Sequence, residues 1–310
     1  MLEVYLQEFL RFANPNMGSS PYQWQYNYSN DDFTFQLVIS SIIHGNEYGS
    51  LPAVIELIKK LESGEIYFGG QITIVLGNPE AARADVRFLE SDLNRMFLPN
   101  DKNTHEANRA RELMPIFDTA DLLIDFHQTI LHTERAFYIC PLTKQVHNWA
   151  KALQCTNAIV DATPKNIETA TTRCADDYMY IQGKPALTIE LSKKGFCDAA
   201  TEVTQLACAN VLDTITKTQN TISLESIANS KPEVPIYTTI HREPYRSRDY
   251  RLQPNLYNFT PVKKGQHLED VGSPEIIAPF DGCLLFPKYP SSNKPLPNEI
   301  FRIIQHDTTR

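Results

Sequence analysis

No two of the six cysteines, at positions 140, 155, 174, 197, 208 and 283, stand at the close spacing of a zinc ribbon or a redox-active pair. Scattered through a chain of 310 residues, they read as free thiols of a reducing compartment. An uninterrupted apolar run long enough to span a bilayer is missing as well. So is the basic start and apolar stretch of a secretory signal, since the N-terminus MLEVYLQEFLRF carries Glu3 instead. The expectation is a cytoplasmic protein with no membrane partner. Basic residues are also in deficit: 29 Lys and Arg stand against 37 Asp and Glu, a net charge of -8, which argues against nucleic acid as a partner. An anionic small molecule would need basic residues gathered locally. No internal repeat or low-complexity tract stands out.

What is present is an ordinary globular mixture, 42% hydrophobic and 21% charged. The first part alternates buried strands with helices. Apolar, β-branched runs at Phe33–Ile43, Gln71–Leu76, Asp121–Phe126 and Ala186–Leu191 read as strands. Helical spacing covers LPAVIELIKKLESG, with Gly64 as a C-cap, then Ala107–Phe117 and Ala199–Thr216. This alternation predicts an α/β fold with a mixed, largely parallel sheet flanked by helices. From Gln219 the composition shifts to a Ser- and Pro-marked linker, SLESIANSKPEVPIYTT, followed by short β-like runs between turns. The expected organisation is a catalytic domain over residues 1–218 and a smaller β-rich capping domain over 219–310.

In open α/β sheets the ligand site lies beyond the carboxyl ends of the strands. That rule selects His44 and Glu47 after the first strand, His127 after the third, and Glu190 near the end of the fourth. His44-Gly45-Asn46-Glu47 sets an imidazole and a carboxylate three residues apart, where strand turns into helix. With His127 they make a two-His, one-Glu donor set of the kind that holds a catalytic zinc and leaves one position open. Asp125, Gln128 or a backbone carbonyl could orient a ligand histidine. Taken singly, an HxxE tetrapeptide is most often a solvated helix start, and His127 a strand-end histidine. Their coincidence at one sheet edge is what argues for metal.

His44-Gly45-Asn46-Glu47, Gly77-Asn78-Pro79, Arg87, Asp92-Leu93-Asn94-Arg95-Met96-Phe97, Asp125-Phe126-His127 and Ile189-Glu190 follow one another over roughly residues 35 to 195. In this order they resemble the succinylglutamate desuccinylase and aspartoacylase family, relatives of the zinc carboxypeptidases. The resemblance implies one zinc per chain on His44, Glu47 and His127, and Glu190 as catalytic acid and base. It also implies Arg87 beside the scissile carbonyl, and Asn94 with Arg95 on the α-carboxylate of an amino acid. Ala170-Thr171-Thr172-Arg173 resembles the aspartoacylase segment whose arginine, here Arg173, holds a side-chain carboxylate. Thr169 stands where that branch has a tyrosine, and the stretch around DDYMYIQG is an insertion. A further family tyrosine, from the C-terminal domain, corresponds most nearly to Tyr289.

Two arginines for one amino-acid moiety imply a dianionic one. The expected activity is zinc-dependent hydrolysis of an N-acyl aspartate or glutamate, aspartoacylase-like in the first reading and succinylglutamate desuccinylase-like in the second. A zinc carboxypeptidase, or a metal-dependent small-molecule binding module without catalysis, are the alternatives. A homo-oligomer is compatible with all of them.

Overall fold

The computed structural model describes residues 1–13, 22–27, 35–99, 101–166, 170–289 and 296–309. Thr169 and the first two residues of the strand expected at Phe33–Ile43 lie outside them. The chain runs through α1 (Leu2–Phe12), β1 (Gln23–Asn27), β2 (Gln36–Ser41), α2 (Leu51–Glu62), β3 (Gln71–Leu76), α3 (Pro79–Arg83) and α4 (His105–Thr119). It continues with β4 (Leu122–Thr129), β5 (Phe137–Cys140), α5 (Lys144–Leu153), β6 (Ile159–Asp161), α6 (Ala175–Ile181), β7 (Ala186–Lys193), α7 (Asp198–Gln219) and α8 (Leu224–Asn229). The last strands are β8 (Ile236–Pro244), β9 (Pro261–Val262), β10 (Gly282–Leu285) and β11 (Glu299–His306).

All strands join one mixed sheet in the order β1-β3-β2-β4-β7-β5-β6-β8-β11-β10-β9. The four strands expected from the apolar runs, β3-β2-β4-β7, are its parallel centre. Side chains alternate across a strand, so each central strand feeds two cores. Leu37, Ile39, Ile72, Ile74, Leu122, Ile124, Leu187 and Ile189 pack on one face with α1, α2, α5 and α7. Val38, Val75, Leu123 and Ala186 pack on the other with α4 and α6. Both faces of β4 are covered, and all eight of its residues are buried. Among the described residues no helix is long and apolar enough to cross a membrane.

The stretch after Gln219 differs from the expected linker. Ser223 Oγ accepts from the Ser226 N–H and starts α8, while Val234 and Ile236 are buried in the main core. β8 then pairs in parallel with β6, so the C-terminal strands extend the sheet. Phe137, Ala158 and Val160 share a small core with Phe259, Leu285 and Ile304 across the seam.

Candidate active site

The residues that follow β2 do not continue straight. Ile42 is held at φ 59°, a left-handed conformation that a β-branched residue adopts only under constraint. Its carbonyl and that of Ser41 accept from the Asn78 and Gly77 N–H groups, at 2.7 and 2.8 Å. The chain thus bends between β2 and α2, and His44 and Glu47 face the end of β4. Gly45 passes so close to α3 that a Cβ there would lie 2.4 Å from the Ala81 carbonyl carbon. Its N–H donates to the Arg87 carbonyl at 2.9 Å, which ties the Arg87 loop to the turn.

Three donor atoms meet there. His44 Nδ1 lies 2.9 Å from Glu47 Oε2, His127 Nδ1 lies 3.0 Å from the same oxygen, and the two ring nitrogens are 3.1 Å apart. All three residues are buried. Lone-pair atoms at these separations repel one another unless a proton or a cation lies among them, and two imidazoles with a carboxylate are a donor set for a divalent transition metal. His127 Nε2 is 2.8 Å from Asp125 Oδ2, so its second nitrogen is engaged by a carboxylate and Nδ1 is left for the cluster. The Gln128 N–H donates to Glu47 Oε2 at 3.1 Å. Against burial, which would raise it, the neighbouring His44 and His127 hold Glu47 well below the usual carboxylate range. Against burial again, Asp125 and Glu47 raise His127 well above the ordinary histidine value.

Glu190 stands beside His127, its register partner on β7. Its Oε2 is shielded from solvent and has no hydrogen-bond partner among the described residues. Burial, and then the Glu47 carboxylate, push it up to about 7. Arg87 lies across the cluster: Nη1 donates to Glu47 Oε1 at 3.1 Å, Nε donates to Asp92 Oδ2 at 3.2 Å, and Nη2 is 2.6 Å from His44 Nε2.

Asn94 and Arg95 sit on a short 3-10 turn, Leu93–Arg95, whose start is capped by Asp92 Oδ1 accepting from the Asn94 N–H. Arg173 is brought beside them. Its backbone N–H donates to the Arg95 carbonyl at 3.3 Å, and its carbonyl accepts from Phe97 at 3.2 Å. Asn94 Oδ1 accepts from the Ala175 N–H, so the same side chain fixes the start of α6. The hydroxyl of Tyr289, by contrast, donates to the Gln253 carbonyl at 2.7 Å and accepts from the Leu256 N–H at 3.3 Å, which ties it to its own unit.

Several residues at the site were not selected from the sequence. Asp92 Oδ1 lies 3.2 Å from His44 Nε2, so one carboxylate serves cap, ligand histidine and Arg87 together. Against burial, His44 and Arg87 hold Asp92 far below its ordinary range. Glu106, fully buried near the start of α4, accepts from the backbone N–H groups of Leu89, Glu90 and Ser91 and from Asn78 Nδ2. It thereby holds the loop between Arg87 and Asp92. Cys174 Sγ accepts from Arg95 Nη1 at 3.0 Å. The histidines at 105, 147, 241, 267 and 306 are paired with carboxylates or stacked away from the cluster, and His132 packs on Tyr257.

Comparison with known proteins agrees with this layout. A profile of the succinylglutamate desuccinylase/aspartoacylase catalytic domain matches residues 34–215. A succinylglutamate desuccinylase of Pseudomonas paraeruginosa is 32% identical over 168 residues, 51% of this chain and 50% of that protein. One of Pseudomonas aeruginosa is 26% identical over 275 residues, 81% of this chain and 79% of that protein. The match therefore spans about half the length of the first relative and most of the second. Among solved structures, the succinylglutamate desuccinylase of Vibrio parahaemolyticus superimposes with a TM-score of 0.72 at 19% identity, covering 92% of this chain and 86% of that one, a likeness of fold.

Proposed function

The chain belongs to the succinylglutamate desuccinylase/aspartoacylase family, and from that premise we propose that it is a zinc-dependent deacylase of N-acylated acidic amino acids, with N-succinylglutamate as the foremost substrate. The observation that carries the reading is the buried triangle of His44 Nδ1, Glu47 Oε2 and His127 Nδ1 with Glu190 beside it, whose Oε2 has no hydrogen-bond partner among the described residues. Relatives named as desuccinylases move the weight from the first expectation, an aspartoacylase-like deacylase of N-acyl aspartate or glutamate, to N-succinylglutamate.

His44, Glu47 and His127 would hold the zinc, with Asp125 fixing the His127 ring. Bound there, the ion supplies Lewis acidity toward the amide carbonyl and lowers the pKa of a water to about 7. Glu190 Oε2 takes the proton of the attacking water and later returns it to the departing amine, a general base and then a general acid. Arg87 offers its guanidinium N–H groups to the oxygen that becomes negative as the carbonyl is attacked. Asn94 and Arg95 bind the α-carboxylate of the amino acid, and Arg173, brought beside them by the Met96–Arg173 bridge, binds the side-chain carboxylate. Fixing both carboxylates orients the amide over the cluster, which turns binding energy into positioning.

An N-acetylaspartate deacylase is the second reading, because the same two arginines suit aspartate. The test is a panel of N-succinyl and N-acetyl derivatives of glutamate and aspartate, with metal quantified. Expected are about one zinc per chain, loss of turnover on chelation, recovery on adding zinc, and the highest kcat/KM for N-succinylglutamate. Full turnover by the metal-stripped protein would sink the reading; a preference for N-acetylaspartate would restore the aspartoacylase-type one.

A further inference from the structure

Three cations converge on one carboxylate in the C-terminal part of the sheet. Glu299, the first residue of β11, accepts from Arg302 Nε at 2.7 Å and from Lys288 Nζ at 3.3 Å on one oxygen. Its other oxygen accepts from Arg242 Nη1 at 3.0 Å. One negative charge leaves this cluster with positive charge in excess. Arg242 is 56% exposed and its charge is screened by solvent, whereas Lys288 and Arg302 are 23% and 20% exposed. The uncompensated charge therefore resides on the inner pair.

A line of aromatic rings leads from that pair to the candidate active site. Arg302 lies over the ring of Phe286 at 5.2 Å, Phe286 rests on Phe137 at 6.0 Å, and Phe137 is the register partner of Glu190. Phe286 is held at φ 51°, costly for an aromatic residue, and its N–H donates to the buried Asn258 Oδ1 at 2.6 Å. Lys288 follows two residues on, its own N–H fixed to the Ile300 carbonyl at 2.9 Å. Burial, and then Arg302 and Arg87, draw Lys288 below the ordinary lysine value against the pull of Glu299. Burial, and then Arg242 and Arg95, do the same to Arg302. Each member of the pair thus senses one of the arginines at the site. Shielded cations in this condition are under-neutralised, and an anion relieves them.

We propose that Lys288 and Arg302 form a subsite for a third carboxylate, the one at the far end of the substrate's acyl group. The chain then selects N-acyl amino acids whose acyl group is a dicarboxylic half-amide and discriminates against N-acetyl ones. The inference rests on the deacylase reading above, in which Asn94, Arg95 and Arg173 are committed to the amino-acid moiety. Arg87, the arginine that Lys288 senses, lies on the His44–Glu47 cluster, where the acyl carbonyl is to be attacked. A dicarboxylic acyl group neutralises the pair; an acetyl group leaves it with only the shared Glu299, a penalty that acts as discrimination.

The test is steady-state kinetics of the zinc-loaded full chain on N-succinylglutamate and N-acetylglutamate, with Lys288→Met, Lys288→Arg and Arg302→Gln. The wild type is expected to favour the succinyl substrate. Lys288→Met should lower the succinyl-to-acetyl ratio of kcat/KM by about 10- to 100-fold, chiefly through KM, with Arg302→Gln acting in the same direction and Lys288→Arg recovering most of the loss. Calorimetric titration with succinate should show weaker binding to Lys288→Met. Turnover of both substrates at a ratio that the substitutions leave unchanged overturns the subsite and leaves the deacylase reading standing. A parallel fall on both substrates that Lys288→Arg does not recover assigns Lys288 to folding and also overturns it. No turnover of either substrate by the wild type overturns the reading as a deacylase of N-acyl glutamates, and the subsite with it.

Discussion

The two halves of the sheet are built on different terms. In the parallel centre, β4 is buried along its whole length and carries Asp125 and His127 into a covered interior. In the antiparallel half, β8 is buried at Ile236 but alternates between partly buried and exposed residues from Thr239 onward, with Arg242 among the exposed ones. A donor triangle needs the first environment, because shielding from water strengthens every charge interaction within it and holds the geometry. Selection of a substrate's outer end needs only a few charges held at the rim, which the second half can supply without becoming a dry core. On the proposal above, the first part holds the chemistry and the amino-acid moiety, and the second adds only the recognition of the acyl group's outer end.

Substitutions in the centre should therefore cost far more than those at the edge. The largest effect is expected at Glu190: Glu190→Gln keeps the shape but removes proton transfer, and should lower kcat by about 1,000-fold. Zinc content measured by atomic absorption should be unchanged; loss of metal in this variant would mean that Glu190 is a ligand and not a base. Next comes Glu106, which touches no substrate but holds the loop between Arg87 and Asp92. Removing it as Glu106→Ala leaves several buried donors unpaired, which should cost about 3 kcal/mol in denaturant unfolding. Against burial, its backbone hydrogen bonds hold its pKa below the unfolded value, so its ionised form stabilises the fold above the ordinary carboxyl range and that contribution fades as pH falls through the lowered value. The stability gap between wild type and Glu106→Gln should accordingly be widest near neutrality and close in acid; a gap that widens in acid contradicts this account. The smallest effect belongs to the edge. Val271 is 93% exposed, and Val271→Asp should change stability by no more than about 0.5 kcal/mol; a larger loss would show that this surface is covered in solution.

The parts that the sequence made legible are those where short-range pattern and final position coincide. β2, β3, β4 and β7 are apolar runs because both of their faces are covered, and the cluster residues stand at their ends because that is where a parallel sheet presents side chains. Other features needed distance information. Asp92 caps a short 3-10 turn; that the same carboxylate reaches His44 depends on a loop closed by Glu106, fourteen residues further on. Arg173 lies beside Asn94 and Arg95 through bonds between backbone groups, which no side-chain pattern reveals. α1 is legible in the same way as the central strands, since Leu6 and Phe9 fall on one helical face. The continuation of the sheet through β6 and β8 was hidden for the opposite reason, since a Pro- and Ser-rich stretch resembles a tether whether or not the residues after it find a partner.

That continuation has a consequence for how anything enters or leaves. The Ile159–Asp161 and Ile236–Thr238 segments are laced together in parallel, with further bonds from Ile159 N–H to Pro235 and from Asp307 N–H to Ile236. A roof hung on a flexible strap could swing open at almost no cost. Here each rung that parts forfeits about 1 kcal/mol, and the apolar seam formed by Phe137, Phe259 and Leu285 parts with it. Rotation of one half of the molecule away from the other is therefore a costly way to open it.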